Sequence, residues 1–246
     1  MKYLFGNWKM NLTRSEARAL AHNVALHRTQ NSLLQAIFPP SIWLEVVKEA
    51  LSDSRTQFGA QSCYSADKGA FTGETSPKMI AEIGAKWCLV GHSERRRIFS
   101  ESNEESALRC AAAVQAGLQP VICVGESSAE QSAGATEGIV RAQLIPCLAA
   151  FARTKQPQAY GEMQCVIAYE PVWSIGTGKV PTHDQISRII SILRDETGGQ
   201  FPVLYGGSVT ADNARNLASI PGVDGFLVGG ASLDAGKFAV IGEALI

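Results

Sequence analysis

The feature that most constrains this chain is a regular alternation of short apolar segments with helical segments, repeated along the whole sequence. The apolar segments carry apolar or aromatic residues at every position rather than at every second one. This is typical of strands that are covered on both faces in a parallel sheet. Eight such segments lie at residues 3–5, 36–38, 58–60, 87–90, 120–124, 165–169, 203–205 and 226–228.

The segments between the predicted strands carry signals for the start of a helix. Ser76 followed by Pro77 predicts an N-cap with proline at the first helical position. Residues 184–196 repeat isoleucine and leucine at helical spacing, which predicts a helix with one buried face. A capping box, in which Ser or Thr is followed three residues later by Glu or Gln, is predicted at Thr13 with Glu16, Ser102 with Glu105, Ser128 with Gln131 and Thr182 with Gln185.

Eight strands and eight helices in 246 residues average about 31 residues per unit, which is the size of the (β/α)8 barrel. No linker or shift in composition divides the chain, so we predict an α/β fold with a single domain over residues 1–246, a parallel eight-stranded barrel with outer helices. The alternative is an open doubly wound sheet. That fold usually carries a Gly-x-Gly-x-x-Gly motif after its first strand, whereas NWKMN follows here at residues 7–11.

Composition and charge limit the partners of this chain. A net charge of −1 provides no field for binding nucleic acid or an anionic membrane surface. No segment predicts a secretory signal or a membrane span. The six cysteines form no Cys-x-x-Cys pair, and buried free thiols in a reducing cytoplasm are the simple interpretation. The four histidines show no metal-binding spacing, so we expect neither a metal nor another cofactor.

Chemistry in a barrel belongs at the C-terminal ends of the strands. Asn7 and Lys9 follow the first strand, and a spacing of two directs both side chains the same way along an extended segment. They could stabilise an oxyanion or simply be solvated.

His92 follows the fourth strand where a helix could begin, which favours a neutral ring that donates a hydrogen bond. A polar surface loop is the alternative there.

Glu170 follows the sixth strand directly and is a candidate general base, because apolar surroundings raise the pKa of a carboxylate. The segment behind it, residues 171–181, has proline at both ends, apolar residues and two glycines near its tip. Such a segment can close over a site as a lid, although an ordinary loop remains open as an interpretation.

Two Gly-Gly pairs follow the seventh and eighth strands, at residues 206–207 and 229–230. The loops after these strands often bind phosphate in barrels, because glycine lets backbone N–H groups close around an anion. One pair alone would indicate only a turn. Two pairs at these two strand ends predict a phosphate site built mostly from backbone.

Five motifs together resemble the triosephosphate isomerase family. The match runs from residue 3 to about 233, with the motifs in order and at the ends of predicted strands, and five together are highly specific. The motifs are NWKMN at 7–11, GHSERR at 91–96, AYEPVWSIGTGK at 168–179, YGGSV at 205–209 and VGGA at 228–231.

The resemblance implies interconversion of dihydroxyacetone phosphate and D-glyceraldehyde 3-phosphate, in glycolysis and gluconeogenesis. By position, Glu170 moves the proton, neutral His92 hydrogen-bonds the reacting oxygens, and Lys9 and Asn7 bind the substrate and stabilise the enediolate. The resemblance assigns the phosphate to Gly176, Ser208, Gly229 and Gly230.

The resemblance also implies supporting residues. Glu94 would lie near Lys9, beside Ser93, and Glu126 would accept a hydrogen bond from the Trp173 indole when the lid closes.

The family forms homodimers, which the resemblance implies here as well. The loop at residues 61–73 would insert into the partner subunit, with Thr72 near the partner's site. Glu74 would face Arg95 across the interface. Ser62 departs from the asparagine that is common in this loop.

A second departure is Pro181, which stands where the family usually has a backbone N–H at the far end of the lid. Proline has no N–H, so a hydrogen bond from that hinge to the Tyr205 hydroxyl cannot form. The closed lid would then depend on Ser208 meeting the N–H of Gly178, on the Trp173–Glu126 contact and on the phosphate held by Gly176.

Two other functions remain open on the sequence alone. One is a different phosphate-binding barrel enzyme, such as an aldolase, which would need a Schiff-base lysine or metal ligands. The other is a catalytically dead structural barrel, against which the set of four polar residues at the strand ends argues.

Overall fold

The computed structural model describes residues 1–27, 30–154 and 164–246, and its strands form a closed parallel barrel. Each strand pairs with its neighbours in chain order, and β1 pairs with β8 to close the circle. The strands are β1 Lys2–Asn7, β2 Leu33–Phe38, β3 Gln57–Ala60, β4 Trp87–Val90, β5 Gln119–Val124, β6 Val166–Tyr169, β7 Val203–Tyr205 and β8 Gly225–Val228.

All eight predicted segments coincide with or overlap these strands, so the predicted barrel is confirmed. Closure by the pairing of β1 with β8 excludes the open doubly wound sheet.

Helices cover the outside of the barrel in the described part of the chain. They are α1 Arg14–Leu26, α2 Leu44–Ala50, α3 Pro77–Glu82, α4 Ser93–Phe99, α5 Asn103–Gln115, α6 Ser128–Ser132, α7 Thr136–Arg153, α8 His183–Glu196, α9 Ala214–Ala218 and α10 Ala235–Glu243, with short 3₁₀ helices at Ser41–Trp43 and Gly230–Leu233.

The predicted helix starts are confirmed except at one site. The capping boxes at Thr13, Ser102 and Thr182 are present, and Ser76 caps α3 with proline in its first turn. The predicted box of Ser128 with Gln131 is wrong. Ser127 caps α6 instead and pairs with Glu130, one residue earlier. The segment SSAEQ at 127–131 satisfies the pattern in two overlapping registers, so the pattern alone could not choose between them.

Apolar side chains fill two layers. One lies inside the barrel and includes Phe5, Phe38, Trp87 and Leu204. The other lies between the strands and the helices, and the predicted apolar face of α8 is buried in it. Because both faces of the strands are covered, their uniformly apolar sequence is explained.

The six cysteines are all buried and free. Among the described residues, no helix is both long enough and apolar enough to cross a membrane.

Candidate active site

Glu170 lies immediately after β6, and only 2% of its surface is exposed. Its Oε1 lies 3.0 Å from Nε2 of His92, and its Oε2 accepts a hydrogen bond from the Ser93 N–H at 3.1 Å. Burial raises the pKa of Glu170. His92, the Ser93 N–H and Lys9 together lower it by more than burial raises it, so the net direction is downward. The predicted upward shift is therefore wrong in this geometry, and the carboxylate is ionised at neutral pH, as a base must be.

His92 is the N-cap of α4, and its Nδ1 accepts a hydrogen bond from the backbone N–H of Glu94 at 3.2 Å. Burial lowers the pKa of His92, but the carboxylates of Glu170 and Glu94 together raise it by more, so the net direction is upward. The shift favours protonation of the ring, whereas the hydrogen bond at Nδ1 opposes it. A nitrogen that accepts a hydrogen bond carries no proton. In this arrangement the ring is therefore neutral, with its proton on Nε2, where it can donate toward Glu170 or a ligand oxygen.

Lys9 adopts a left-handed backbone conformation, with φ of +53°. Its backbone N–H donates to Oδ1 of Asn7 at 3.0 Å, and Gln61 donates to its carbonyl oxygen at 2.8 Å. The ammonium forms an ion pair with Glu94 at 2.5 Å. The segment is therefore not extended at Lys9, contrary to the sequence-based argument, although the cavity still receives both side chains.

A cavity of about 220 Å³ at the C-terminal ends of the strands contains these groups. Its lining includes every residue for which the resemblance implied contact with substrate: Asn7, Lys9, His92, Glu170, Gly176, Ser208, Gly229 and Gly230. Thr210 and Leu227, which lie outside the motifs, also line it, as do three motif residues to which no contact with substrate was assigned, Ile175, Val209 and Ala231. These residues flank the predicted positions, so proximity in sequence was the only signal that could have found them.

The lid, residues 171–181, is anchored to the barrel through a buried carboxylate. The Trp173 indole donates to Oε1 of Glu126 at 2.8 Å, and the Tyr169 hydroxyl donates to the same carboxylate at 3.2 Å. Burial raises the pKa of Glu126, against the opposing hydrogen bonds. The expected bond between the Ser208 side chain and the Gly178 N–H is absent from the hydrogen bonds of residues 164–246.

The residues implied at an interface lie on the surface of this chain. Thr72 is exposed. Glu74 lies 3.7 Å from Arg109, and Arg95 forms an ion pair with Glu101 at 2.5 Å, so both side chains have partners within the subunit. Their meeting across an interface stays a prediction.

Another groove, of about 920 Å³, lies between α1 and α2. Its charged lining includes Arg18 and Glu49, which are exposed and paired with each other at 2.8 Å. It holds none of the strand-end residues.

In the described ranges, no group of three or more His, Cys, Asp or Glu side chains is arranged to hold a metal ion.

Comparison with known proteins agrees with this geometry. The family model described as Triosephosphate isomerase matches residues 2–245. A triosephosphate isomerase of Xanthomonas campestris pv. campestris (strain 8004) is 44% identical over 99% of this chain and 97% of the relative. One from Chlamydia trachomatis serovar D is 42% identical over 98% of this chain and 88% of the relative. The chain therefore belongs to the triosephosphate isomerase family.

Proposed function

We propose that residues 1–246 form one barrel domain that interconverts dihydroxyacetone phosphate and D-glyceraldehyde 3-phosphate, in glycolysis and gluconeogenesis, without a cofactor or metal. The observation that carries the proposal is the convergence of an ionised carboxylate, an imidazole N–H and an ammonium in one small cavity with glycine-rich backbone. A carboxylate and hydrogen-bond donors are the groups that proton transfer beside a carbonyl requires.

Glu170 acts as the base. It removes the proton from the hydroxyl-bearing carbon beside the carbonyl and returns it to the former carbonyl carbon. The hydroxyl proton passes to the former carbonyl oxygen, so that the ketose becomes the aldose through an enediolate. In the ligand-free geometry the carboxylate rests on His92 and the Ser93 N–H. A substrate that accepts hydrogen bonds from these donors frees the carboxylate from them and displaces water from it. Both changes raise the pKa of Glu170, and so its basicity, when the proton is transferred.

His92, Lys9 and Asn7 stabilise the negative charge that develops on the substrate oxygens. The Nε2–H of His92 donates to them, and Asn7 Nδ2 lies 3.2 Å from Nε2 and offers a second donor in the same place. The Lys9 ammonium supplies positive charge while Glu94 holds it at the cavity. Donors that are fixed before the reaction stabilise charge without reorganisation.

The phosphate group is held by the glycine-rich loops. Gly176 in the lid, Ser208 after β7, and Gly229 with Gly230 after β8 all line the cavity. The last pair leads into the 3₁₀ helix Gly230–Leu233, whose first N–H groups have no partner within the helix.

A coupled assay tests the proposal directly. The protein should convert each triose phosphate into the other and should incorporate solvent deuterium at the carbon beside the carbonyl, since the base exchanges its proton with water. Cleavage of fructose 1,6-bisphosphate would instead indicate an aldolase. Absence of turnover with either substrate would indicate a structural barrel. Loss of activity in EDTA would contradict metal-free chemistry.

We also propose that the chain forms a homodimer through the loop at residues 61–73. The loop is tied at its base by a hydrogen bond from Tyr64 N to Thr75 O at 2.9 Å, and Phe71 within it is exposed. Exposed apolar side chains elsewhere on the chain include Met10, Met79, Ile98 and Phe99. Apolar residues of this size at the surface favour an interface when they are contiguous.

Light scattering tests the dimer. Phe71→Asp should shift the protein toward a monomer, because it places a charge in the proposed interface. Ile145→Asp is the matched control, since Ile145 is an exposed apolar residue on the outer helix α7. A fully active wild-type monomer would contradict the proposal.

We also propose that the protein is located in the cytoplasm. Its support is the six free, buried cysteines, which suit a reducing compartment. Fractionation of the host cells would test it, and recovery of the protein outside the cytoplasmic fraction would contradict it.

A further inference from the structure

Ser174 is fully buried, with 0% of its surface exposed, although residues 176–180 of the same lid are exposed. Its hydroxyl lies within hydrogen-bonding distance of three groups. It donates to the carbonyl oxygen of Lys179 at 2.6 Å, it lies 3.3 Å from the Tyr205 hydroxyl, and it accepts from the Ser208 N–H at 3.3 Å.

The capacity of a hydroxyl determines the direction of these bonds. A serine hydroxyl offers one donor and two acceptor lone pairs. Since its proton points to Lys179 O, the Tyr205 hydroxyl must be the donor in the remaining pair. Ser174 therefore uses its full capacity, which is what a buried polar group requires to be stable.

The three partners belong to different parts of the site. Lys179 lies in the second half of the lid, Tyr205 ends β7, and Ser208 belongs to the loop after β7 that lines the cavity. Pro181 cannot donate to Tyr205 because it has no N–H. Ser174 is thus the group through which Tyr205 contacts the lid in the described hydrogen bonds.

Gly207 shows how closely these elements approach. A Cβ at this position would lie 2.2 Å from the Tyr205 hydroxyl and 2.9 Å from Ser174 Oγ. The close contact leaves room for glycine only, and it holds the phosphate loop against the lid at Ser174.

We propose that Ser174 is a positioning residue that joins both halves of the lid to the phosphate loop and so sets the geometry of the phosphate site. It touches no substrate and acts through Gly176 on one side and Ser208 on the other. The kinetic part of this inference rests on the proposed isomerase function.

Ser174→Ala should raise KM about 10-fold and change kcat less than about 3-fold, because the lost positioning weakens phosphate binding equally in the ground state and the transition state. Ten-fold corresponds to the loss of about one buried hydrogen bond. The inhibition constant of inorganic phosphate should rise by the same factor as KM. Unchanged values of both constants would overturn the proposal.

Limited trypsin digestion provides a readout that does not need turnover. The lid is exposed at Lys179, and cleavage between residues 179 and 180 can be followed by mass spectrometry. Ser174→Ala should be cleaved faster than the wild type, and protection should require a higher concentration of inorganic phosphate. Equal cleavage and equal protection would overturn the proposal even if the chain did not isomerise triose phosphates.

Thr197→Val is the matched control. Thr197 is buried at the end of α8, and its hydroxyl bonds only to carbonyl oxygens of that helix, at 3.2 and 3.0 Å. This variant should lower stability without changing KM or cleavage of the lid. A double-mutant cycle of Ser174→Ala with Tyr205→Phe completes the test. The proposal requires the double variant to lose less than the product of the single losses, and independent losses that multiply would overturn it.

Discussion

Replacing Glu170 with aspartate keeps the charge of the proposed base and shortens its side chain by one methylene. The carboxylate now lies 3.0 Å from His92 Nε2 and 3.1 Å from the Ser93 N–H. In the shorter variant it would retreat by roughly 1 Å from the reacting carbon, and a misplacement of that size reduces the rate by about 10²-fold.

The backbone cannot move to compensate for the lost length. The N–H of Glu170 donates to Val124 O at 2.7 Å. Its carbonyl oxygen lies only 1.8 Å from the point where a Cβ would stand at Gly125. Because the last residue of β5 and the glycine directly after it both lie this close to the Glu170 backbone, the full retreat should appear in the kinetics, as a barrier higher by about 2.7 kcal/mol.

Steady-state kinetics with dihydroxyacetone phosphate measure this effect. We expect kcat to fall about 10²-fold with KM within about 3-fold of the wild type, because the phosphate site is untouched. Glu104→Asp, in the exposed first turn of α5, is the control for the same chemical change. Unchanged kcat in Glu170→Asp, or an equal fall in the control, would refute the reasoning.

Three further predictions concern the neighbourhood of this base. Gly125→Ala should lower both turnover and the midpoint of urea unfolding, since its Cβ would collide with the Glu170 carbonyl oxygen; an unchanged midpoint would contradict this. Tyr205→Phe should lower kcat/KM less than about 10-fold because Pro181 lacks an N–H, and Ser208→Ala should lower it more; the reverse order in steady-state assays would be evidence against this account of the lid. Because the pKa of Glu170 is lowered from 4.5, its ionisation should not reduce kcat/KM as the pH falls from 8 to 5. A decline near pH ~6 should follow the substrate phosphate instead, and a pH profile that stays the same with a substrate analogue of different phosphate pKa would contradict this.

The strands and most helix caps could be predicted because local rules determine them. A strand buried on both faces must be apolar throughout, and a capping box needs only four consecutive residues. The one error among the helix caps, the prediction of Ser128 where Ser127 is the cap, arose where two registers of the same local pattern overlap.

The electrostatics of the site could not be predicted in the same way. Burial of Glu170 was foreseeable from its place after an apolar strand, and burial does raise its pKa. The opposing effects come from His92 and Ser93, which lie more than 70 residues earlier in the chain. Ser174 was missed for the same reason, because its partners Tyr205 and Ser208 become neighbours only when the barrel closes.

Lys9 shows why a local rule fails where the chemistry is placed. Its φ of +53° is a conformation that costs a residue with a side chain about 1–3 kcal/mol and persists only where the surroundings hold it. Here Asn7, Gln61 and Glu94 bind its backbone N–H, its carbonyl oxygen and its ammonium in turn. These partners come from β1, the start of the loop at residues 61–73 and α4. The ammonium reaches the cavity because Asn7 and two distant partners, Gln61 and Glu94, hold a strained backbone in place, and no pattern within residues 7–11 could reveal the two distant partners.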